Sequence, residues 1–371
     1  MKLLYVKANH FKNAKDNFEI NFIAKSKKTA EDKEYELQKI ADGLYVYNTM
    51  AFVGKNASGK TTAVELLDCC YSILGEFRLE GKHYDYNGIE LEMIFYHEEY
   101  LYRYTTALQT DTSLDNKAIF TKQHIYKKKY FKTKLKTILQ TDDYIELTDF
   151  SELPEDTSKV FFILKKKYTR ALYFDSLGEG SDTYSLLFKA LQNYKIEDEV
   201  FINIIQIFDE NIQTIEKMDD HNYKLCYQKQ IRMVSDKELV YLLSSGTTKG
   251  ILLYTLMVAS LKNGFDLIVD EIENHFHKTL VENMISLYKD KLVNKNNATL
   301  IFTTHYCEML DLFNRRDNIW IAKSDGKVEL KNMYDDYEVR TELLKSKQFY
   351  NNAFQTAVNY EELMNMKRKL M

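Results

Sequence analysis

Residues 54–61 read Gly54-Lys55-Asn56-Ala57-Ser58-Gly59-Lys60-Thr61. A glycine, four residues and then Gly-Lys-Thr is the spacing of a loop that wraps the phosphates of a nucleotide. The glycines permit a tight turn whose backbone N–H groups face the anion. Lys60 has the reach for the β- and γ-phosphates, and the Thr61 hydroxyl suits Mg²⁺. Asn56, Ala57 and Ser58 fill the loop, and Thr62 follows it into the next element. The alternative is a glycine turn that matches by chance.

Three later segments bear on that choice. Phe265-Asp266-Leu267-Ile268-Val269-Asp270-Glu271 is an apolar run that ends in two acids. A central strand would deliver both carboxylates to its C-terminal edge. There Asp270 serves a metal, and Glu271 polarises an attacking water as a general base does in phosphoryl transfer. The plainer reading is a strand that ends in a solvated acidic turn. Leu300-Ile301-Phe302-Thr303-Thr304-His305 is a second such strand, with His305 placed to touch a γ-phosphate or the water. A lone histidine is more often structural. Leu243-Ser244-Ser245-Gly246-Thr247 is a small-residue loop that opens a helix. It reads as an anion site or as a simple N-cap.

The elements that must position these groups are legible around them. Tyr45 to Val53 is apolar and strand-like, and Thr62 to Leu74 has helical spacing at Val64, Leu67, Tyr71 and Leu74. Strand, loop and helix together point a helix N-terminus at the anion. Gly250 to Lys262 reads as a strong helix. Glu90 to Tyr96 and Leu101 to Ala107 alternate as strands around the polar turn His97-Glu98-Glu99, and Ser324-Asp325-Gly326-Lys327 reads as a hairpin. Asp198 to Met218 carries apolar residues near helical spacing, among them Phe201, Ile205, Phe208, Ile212 and Ile215.

The order of these motifs resembles the ATP-binding cassette ATPases, in their soluble SMC-like and RecF-like branch. The stretches Asp270–Leu280 and Thr303–His305 are similar to small cassette ATPases of prokaryotic phage-defence systems, including relatives of the OLD family. The opening MKLLYVKANHFKNAKDNFEINF is similar to the first strands of that branch, with Lys12 where the family has a nucleotide-contacting arginine. Lysine keeps the charge without the planar fork, so Lys12 reads equally as a solvated turn lysine. The resemblance implies an α/β fold: an ABC-type P-loop NTPase head with a mixed central sheet, flanking helices and an antiparallel β subdomain. It implies ATP and Mg²⁺, with Thr61 and Asp270 at the metal, Glu271 as base and His305 at the γ-phosphate. It also implies a head-to-tail homodimer with ATP shared between Lys60 of one subunit and Ser244, Ser245 and Gly246 of the other, or a larger oligomer. The family's glutamine after the first helix has only Gln109 as a candidate.

Four segments are expected: residues 1–109 and 237–334 as the two parts of the ATPase domain, 110–236 as a mostly helical insertion, and 335–371 as a helical tail. Lys122 to Lys136 holds seven lysines with Tyr126, Tyr130 and Phe131 among them. Such a stretch can track a nucleic-acid backbone, or it is a solvated face with its aromatics turned inward. Lys165-Lys166-Lys167 is a weaker second patch. The net charge of −4 carries little functional information. Cys69, Cys70, Cys226 and Cys307 show no metal-ligand spacing, and a reducing cytoplasm is expected. No apolar stretch has the length to span a bilayer. No Toprim-like acidic cluster follows the core, so a destructive activity is expected to come from another chain. Three roles fit: a phage-defence sensor or scaffold that controls a separate toxin or nuclease, a DNA-binding ATPase of repair or chromosome maintenance, and a nucleotide-locked scaffold with little turnover.

Overall fold

The computed structural model describes residues 1–79, 82, 84–111, 117–148, 153–164, 170–175, 182–219, 221–243, 245–275, 277–338, 344–354 and 360–370. The chain forms two compact units, Met1–Ala171 with Ile301–Met371, and Leu172–Leu300. The division falls elsewhere than at the expected residues 109 and 236.

The first unit holds an antiparallel sheet in the order Phe18–Asn21, Lys2–Asn9, Glu90–His97, Tyr100–Asp111, Lys117–Lys129, Ile145–Glu146. Period-two patterning explains it. In Tyr100–Asp111 the side chains of Tyr102, Tyr104, Thr106 and Leu108 are buried, while Arg103, Thr105 and Ala107 are half-buried on the opposite face. Glu98 and Glu99 turn the chain with φ of 47° and 67°, the left-handed pair that suits a two-residue hairpin.

The same unit holds the strands Leu300–Thr304, Thr49–Val53, Ile319–Asp325 and Lys327–Asn332, side by side in that order. Thr49–Val53 runs parallel to Ile319–Asp325, which runs antiparallel to Lys327–Asn332. The sheet is therefore mixed, and the expected hairpin turns at Gly326. Every residue of Thr49–Val53 and of Leu300–Thr304 is buried, as in a strand covered on both faces. The run Tyr45–Val53 breaks at Asn48, whose backbone N–H and side-chain amide bind Glu36 O and Tyr35 O at 2.9 Å each. Two strands result, Leu44–Tyr47 and Thr49–Val53.

The second unit packs the helices Thr183–Asn193, Asp198–Phe208, Ser245–Asn263 and Lys278–Lys289 around the neighbouring strands Ala171–Phe174 and Asp266–Val269. Ile196, Ala259 and Phe265 form a core there, with Leu172, Leu191 and Tyr194 packed against it. A separate antiparallel sheet contains Ile212–Lys217, Asn222–Tyr227 and Gln230–Ser235. Ser235 then caps the helix Asp236–Leu242 in a capping box with Glu238.

Residues 110–236, expected to be mostly helical, are mixed: long strands accompany the helices. Asp198–Met218 is a helix only to Phe208, followed by the strand Ile212–Lys217. The break is local chemistry. Asp209 Oδ1 accepts from the Asn211 backbone N–H at 2.9 Å, and Ile212 N–H donates to Asp209 O at 3.1 Å.

Candidate functional site

The phosphate loop leaves the buried strand Thr49–Val53 and enters the helix Lys60–Gly75. Two glycines fit it to its surroundings. A Cβ at Gly54 would lie 2.4 Å from Ser58 Oγ and 2.7 Å from Ala322 O. Gly59 has φ +94°, and a Cβ there would lie 2.3 Å from Val328 Cγ1. Ala57 is left-handed as well, at φ 59°. Asn56 and Ala57 are exposed.

Lys60 is buried under this loop. Its Nζ donates to Gly54 O at 3.0 Å and to Lys55 O at 3.1 Å, so the ammonium sits inside the turn. Gly59 makes no side-chain cap, and no acid lies in the helix's first turn. The first N–H groups and the dipole thus present positive charge to an anion. Ser58 Oγ is buried without a hydrogen-bond partner among the described residues. A phosphate-bearing ligand fits this lining, because the Lys60 ammonium, the Ser58 hydroxyl and the first N–H groups of the helix are donors gathered at one turn. Thr61 is exposed and Thr62 buried at the mouth of the helix.

Lys12, with φ 50°, forms an ion pair with Glu65, whose side chain is buried on the helix Lys60–Gly75. Its Nζ lies 5.9 Å from the centre of the Tyr84 ring. Lys12 thus fastens the N-terminal turn to the helix that follows the phosphate loop. Nothing in the sequence between Lys12 and Glu65 signals that pair.

His305 follows Leu300–Thr304 and is half-buried. Its ring meets that of Tyr306 edge to face, with centroids 4.8 Å apart. Thr304 Oγ1 accepts from Tyr306 N–H at 3.0 Å and fixes the turn after the strand.

In the second unit, Asp266–Val269 is buried throughout and is held by bonds from Thr299 N–H to Asp266 Oδ1 at 2.9 Å and from Leu267 N–H to Thr299 O at 2.8 Å. Asp270 follows, 8% exposed, with its N–H on Phe174 O at 2.9 Å. Glu271 has φ 48°, a sparsely populated conformation for a residue with a Cβ. Asn274 explains how it is held: its backbone N–H donates to Glu271 O at 2.9 Å, and its side-chain amide donates to Glu271 Oε2. Asp270 and the Thr61 hydroxyl are hard oxygen donors of the kind Mg²⁺ takes, and Mg²⁺ needs only one or two carboxylates when phosphates complete its shell. Among the described residues no three His, Cys, Asp or Glu gather as a metal cluster.

Ser244 lies outside the described residues, as does the Lys165–Lys167 patch. Ser245 opens the helix Ser245–Asn263, and Gly246 in its first turn is exposed. Gln109 is exposed on Tyr100–Asp111, paired with Ile119.

The lysine-rich stretch is the strand Lys117–Lys129 followed by a 3-10 turn at Lys132–Thr137. Lys127 Nζ lies 3.8 Å from the Tyr100 ring centre, and Lys128 Nζ, 4.1 Å from that of Tyr144, donates to Thr137 O at 2.9 Å. Lys132 is near Asp42, and Lys134 pairs with Asp143. Much of this basic charge is spent within the fold.

A family model described as "AAA domain, putative AbiEii toxin, Type IV TA system" matches residues 50–306, from the phosphate-loop strand to the residue after His305. The chain belongs to that family. The AAA match takes in the whole second unit and part of the first, with the phosphate loop, Gly246, Asp270, Glu271 and His305 inside it and Lys12 outside. No curated protein matches this AAA chain. Among solved structures, an SMC head bound to the C-terminal winged-helix domain of ScpA is similar at 11% identity and a TM-score of 0.46, with 89% of this chain and 97% of that chain covered. The cbiO1 protein of Clostridium perfringens, part of the ABC transporter complex cbiONQ, is similar at 13% identity and a TM-score of 0.30, over 81% of this chain and 86% of that one. Among the described residues no helix is long and apolar enough to cross a membrane.

Proposed function

We propose that this AAA-family chain is an ABC-type ATPase of the SMC-like branch, which binds ATP with Mg²⁺ and hydrolyses it to ADP and phosphate. The observation that carries the reading is the phosphate loop. Lys60 Nζ is held by Gly54 O and Lys55 O inside a turn with no room for a side chain at Gly54 or Gly59. ATP phosphates take over Lys60 and the N–H groups from Gly59 into the helix, while Asn56, Ala57, Ser58 and Thr62 shape the wall. Lys12 supports the same loop through Glu65.

Thr61 and Asp270 would hold Mg²⁺, which would supply charge neutralisation at the phosphates. Glu271 orients the attacking water and takes its proton, with Asn274 fixing the carboxylate. His305 donates to the γ-phosphate oxygens, backed by the Tyr306 ring. Ser244, Ser245 and Gly246 complete the site of a second subunit, so ATP joins two copies head to tail and hydrolysis releases them.

The family's description names a toxin and a Type IV TA system, which supports a place in conflict systems. We assign the chain there as the cytoplasmic sensor or scaffold subunit of an anti-phage system, controlling a separate toxin or nuclease.

The test is steady-state ATP hydrolysis and solution mass, measured together for wild type, Lys60→Ala and Glu271→Gln. Lys60→Ala is expected to lose ATP binding and turnover. Glu271→Gln is expected to bind ATP, lose turnover about a hundredfold or more, and persist as an ATP-bound dimer. Absence of hydrolysis in wild type, with and without added DNA, would sink the proposal and leave a static nucleotide-bound scaffold.

A further inference from the structure

Among the described residues, the small sheet of the second unit ends in a strand that is paired on one side only. Gln230–Ser235 pairs on one side with Asn222–Tyr227 and forms the sheet's edge on the other. Gln228 and Lys229, at φ 48° and 66°, make a two-residue turn closed by the pair Tyr227 and Gln230. In such a hairpin the closing pair exchanges both backbone bonds, and so does every second pair after it. Gln230, Arg232 and Val234 therefore turn their N–H and C=O groups inward, and Ile231 and Met233 turn theirs outward. Both of these side chains are exposed as well, by 71% and 59%. Natural sheets protect such edges with charge, proline or a covering element, because an open edge accepts another strand.

We propose that this edge is a docking strand for an extended segment of a separate protein, which adds as a fourth antiparallel strand. Its apolar side chains face Ile231 and Met233, and acidic residues flank them. The charge around the edge selects that partner. Lys224, Lys229, Arg232 and Lys237 are exposed there, and Lys224 stands directly across from Met233. Both carboxylates that follow the strand are engaged: Asp236, 7% exposed, accepts from the Lys237 N–H at 2.6 Å, and Glu238 accepts from the Ser235 N–H at 2.8 Å and hydroxyl at 2.9 Å. A second copy of this chain, paired so that Ile231 meets Met233, would set Arg232 against Arg232, and like charges directly opposite destabilise a strand pair. Backbone bonds supply the affinity and the alternate side chains the selectivity, as in other strand-addition interfaces. The edge strand runs into Ser235, which caps the helix Asp236–Leu242, so an occupant has a short covalent path to Gly246 in the first turn of Ser245–Asn263.

The docking edge follows from the sheet's own geometry; that its occupant belongs to the effector rests on the proposed function. The probe is a labelled short peptide of alternating valine and threonine with paired glutamates at both ends. Its lysine-flanked counterpart is the control, and each is titrated into the full chain by fluorescence anisotropy. Met233→Pro removes only an outward N–H, a change an edge strand tolerates. Saturable binding of the acidic peptide to wild type is expected, with a loss of about tenfold or more in Met233→Pro, in Ile231→Lys and with the lysine-flanked peptide. Far-UV circular dichroism and ATP turnover verify that both variants fold. Absent binding, or equal binding to wild type and Met233→Pro, overturns the proposal. Self-association of wild type that disappears in Met233→Pro overturns it in favour of a second copy. Lys60→Ala is expected to bind the peptide like wild type, so an inactive chain that still binds separates failure of the ATPase reading from failure of this one.

Discussion

A methyl group at Gly59 meets the two Val328 methyls at 2.3 and 2.4 Å, on a backbone already at φ +94°. Gly59→Ala is therefore expected to force the Lys327–Asn332 strand away from the phosphate loop. Affinity for a fluorescent ATP analogue should fall about tenfold or more, and Val328→Ala in the same chain should restore only part of it, because the left-handed backbone still costs about 1–3 kcal/mol. Full retention of affinity in Gly59→Ala would show that the contact does not shape the loop. Arg315 makes a second residue-level case. Its guanidinium, with a side chain 2% exposed, binds Asp317 Oδ1 at 2.9 Å and Oδ2 at 2.6 Å, Asp32 Oδ2 at 2.9 Å and Ser26 Oγ at 2.5 Å. Arg315→Ala strands two buried carboxylates and should destabilise the chain by about 3–5 kcal/mol in urea unfolding. Burial alone would raise the Asp317 pKa, but bonds from Arg315 and from the Ser26 and Lys25 N–H groups leave it below the ordinary carboxylate value. A depressed folded-state pKa gives stability that is complete above the unfolded value of about 3.9 and is lost as pH falls through it toward the folded value. Asp317→Asn should thus be less stable at neutral pH and lose less stability than wild type below about pH 4; parallel acid melts for the two chains would remove Asp317 from the account. The phosphate loop was legible in the sequence because its geometry is set by spacing within eight residues. Val328, and Asp32 and Ser26 beside Arg315, were not, because they approach from far along the chain and carry no local pattern.

At the scale of elements, local chemistry decided where apolar periodicity misled. Ile212 and Ile215 fall near the helical phase set by Phe201, Ile204, Ile205 and Phe208, so the period predicts one helix through Met218. The Asp209–Asn211 turn interrupts it, and the same isoleucines become inward residues of a strand, 3% and 7% exposed. Asparagine and aspartate compete with the helix through exactly this kind of side-chain bond to the backbone. The helices around the site were legible for the opposite reason: Lys60–Gly75 and Ser245–Asn263 are long and begin at small or polar residues. Their packing was not. In Ser245–Asn263 a Cβ at Gly250 would lie 2.4 Å from a Phe208 ring carbon. Gly250→Val should lower the thermal midpoint of the chain, in the range of about 1–3 kcal/mol typical of overpacking, and Phe208→Leu should recover part of the loss. An unchanged midpoint in Gly250→Val would mean that the two helices part without cost. The helix Lys60–Gly75 also buries both of its thiols, and burial pushes Cys69 up to about 12 and Cys70 well above its ordinary value. Because the thiolate is the reactive form, native protein at pH 8 should leave both unalkylated by iodoacetamide while half-exposed Cys226 reacts. Peptide mapping by mass spectrometry reads this directly, and rapid native labelling of Cys69 would show that the helix opens.

At the scale of the whole molecule the motifs divide between the two units: the phosphate loop and His305 belong to one, and the Asp270–Glu271 pair and Gly246 to the other. The sequence shows that order but cannot show which copies of the chain serve one nucleotide, because a motif has no partner written into it. The proposed head-to-tail dimer makes a quantitative prediction here. Each ATP site takes Lys60 from one subunit and Gly246 from the other. Lys60→Ala and Gly246→Asp chains are each inactive alone, since every site of either homodimer carries the defect. When they are mixed, half of the dimers are hybrids. In each hybrid one site receives both defects and the other receives neither. If sites fire independently, an equimolar mixture should recover about a quarter of wild-type turnover, a consequence of two-fold symmetry alone. If both sites must fire together, recovery is absent but the hybrid still forms with ATP and is seen as a mixed-mass dimer by native mass spectrometry. Activity in the Gly246→Asp chain by itself, close to wild type, would instead place the whole catalytic site within one subunit and remove the shared interface from the mechanism.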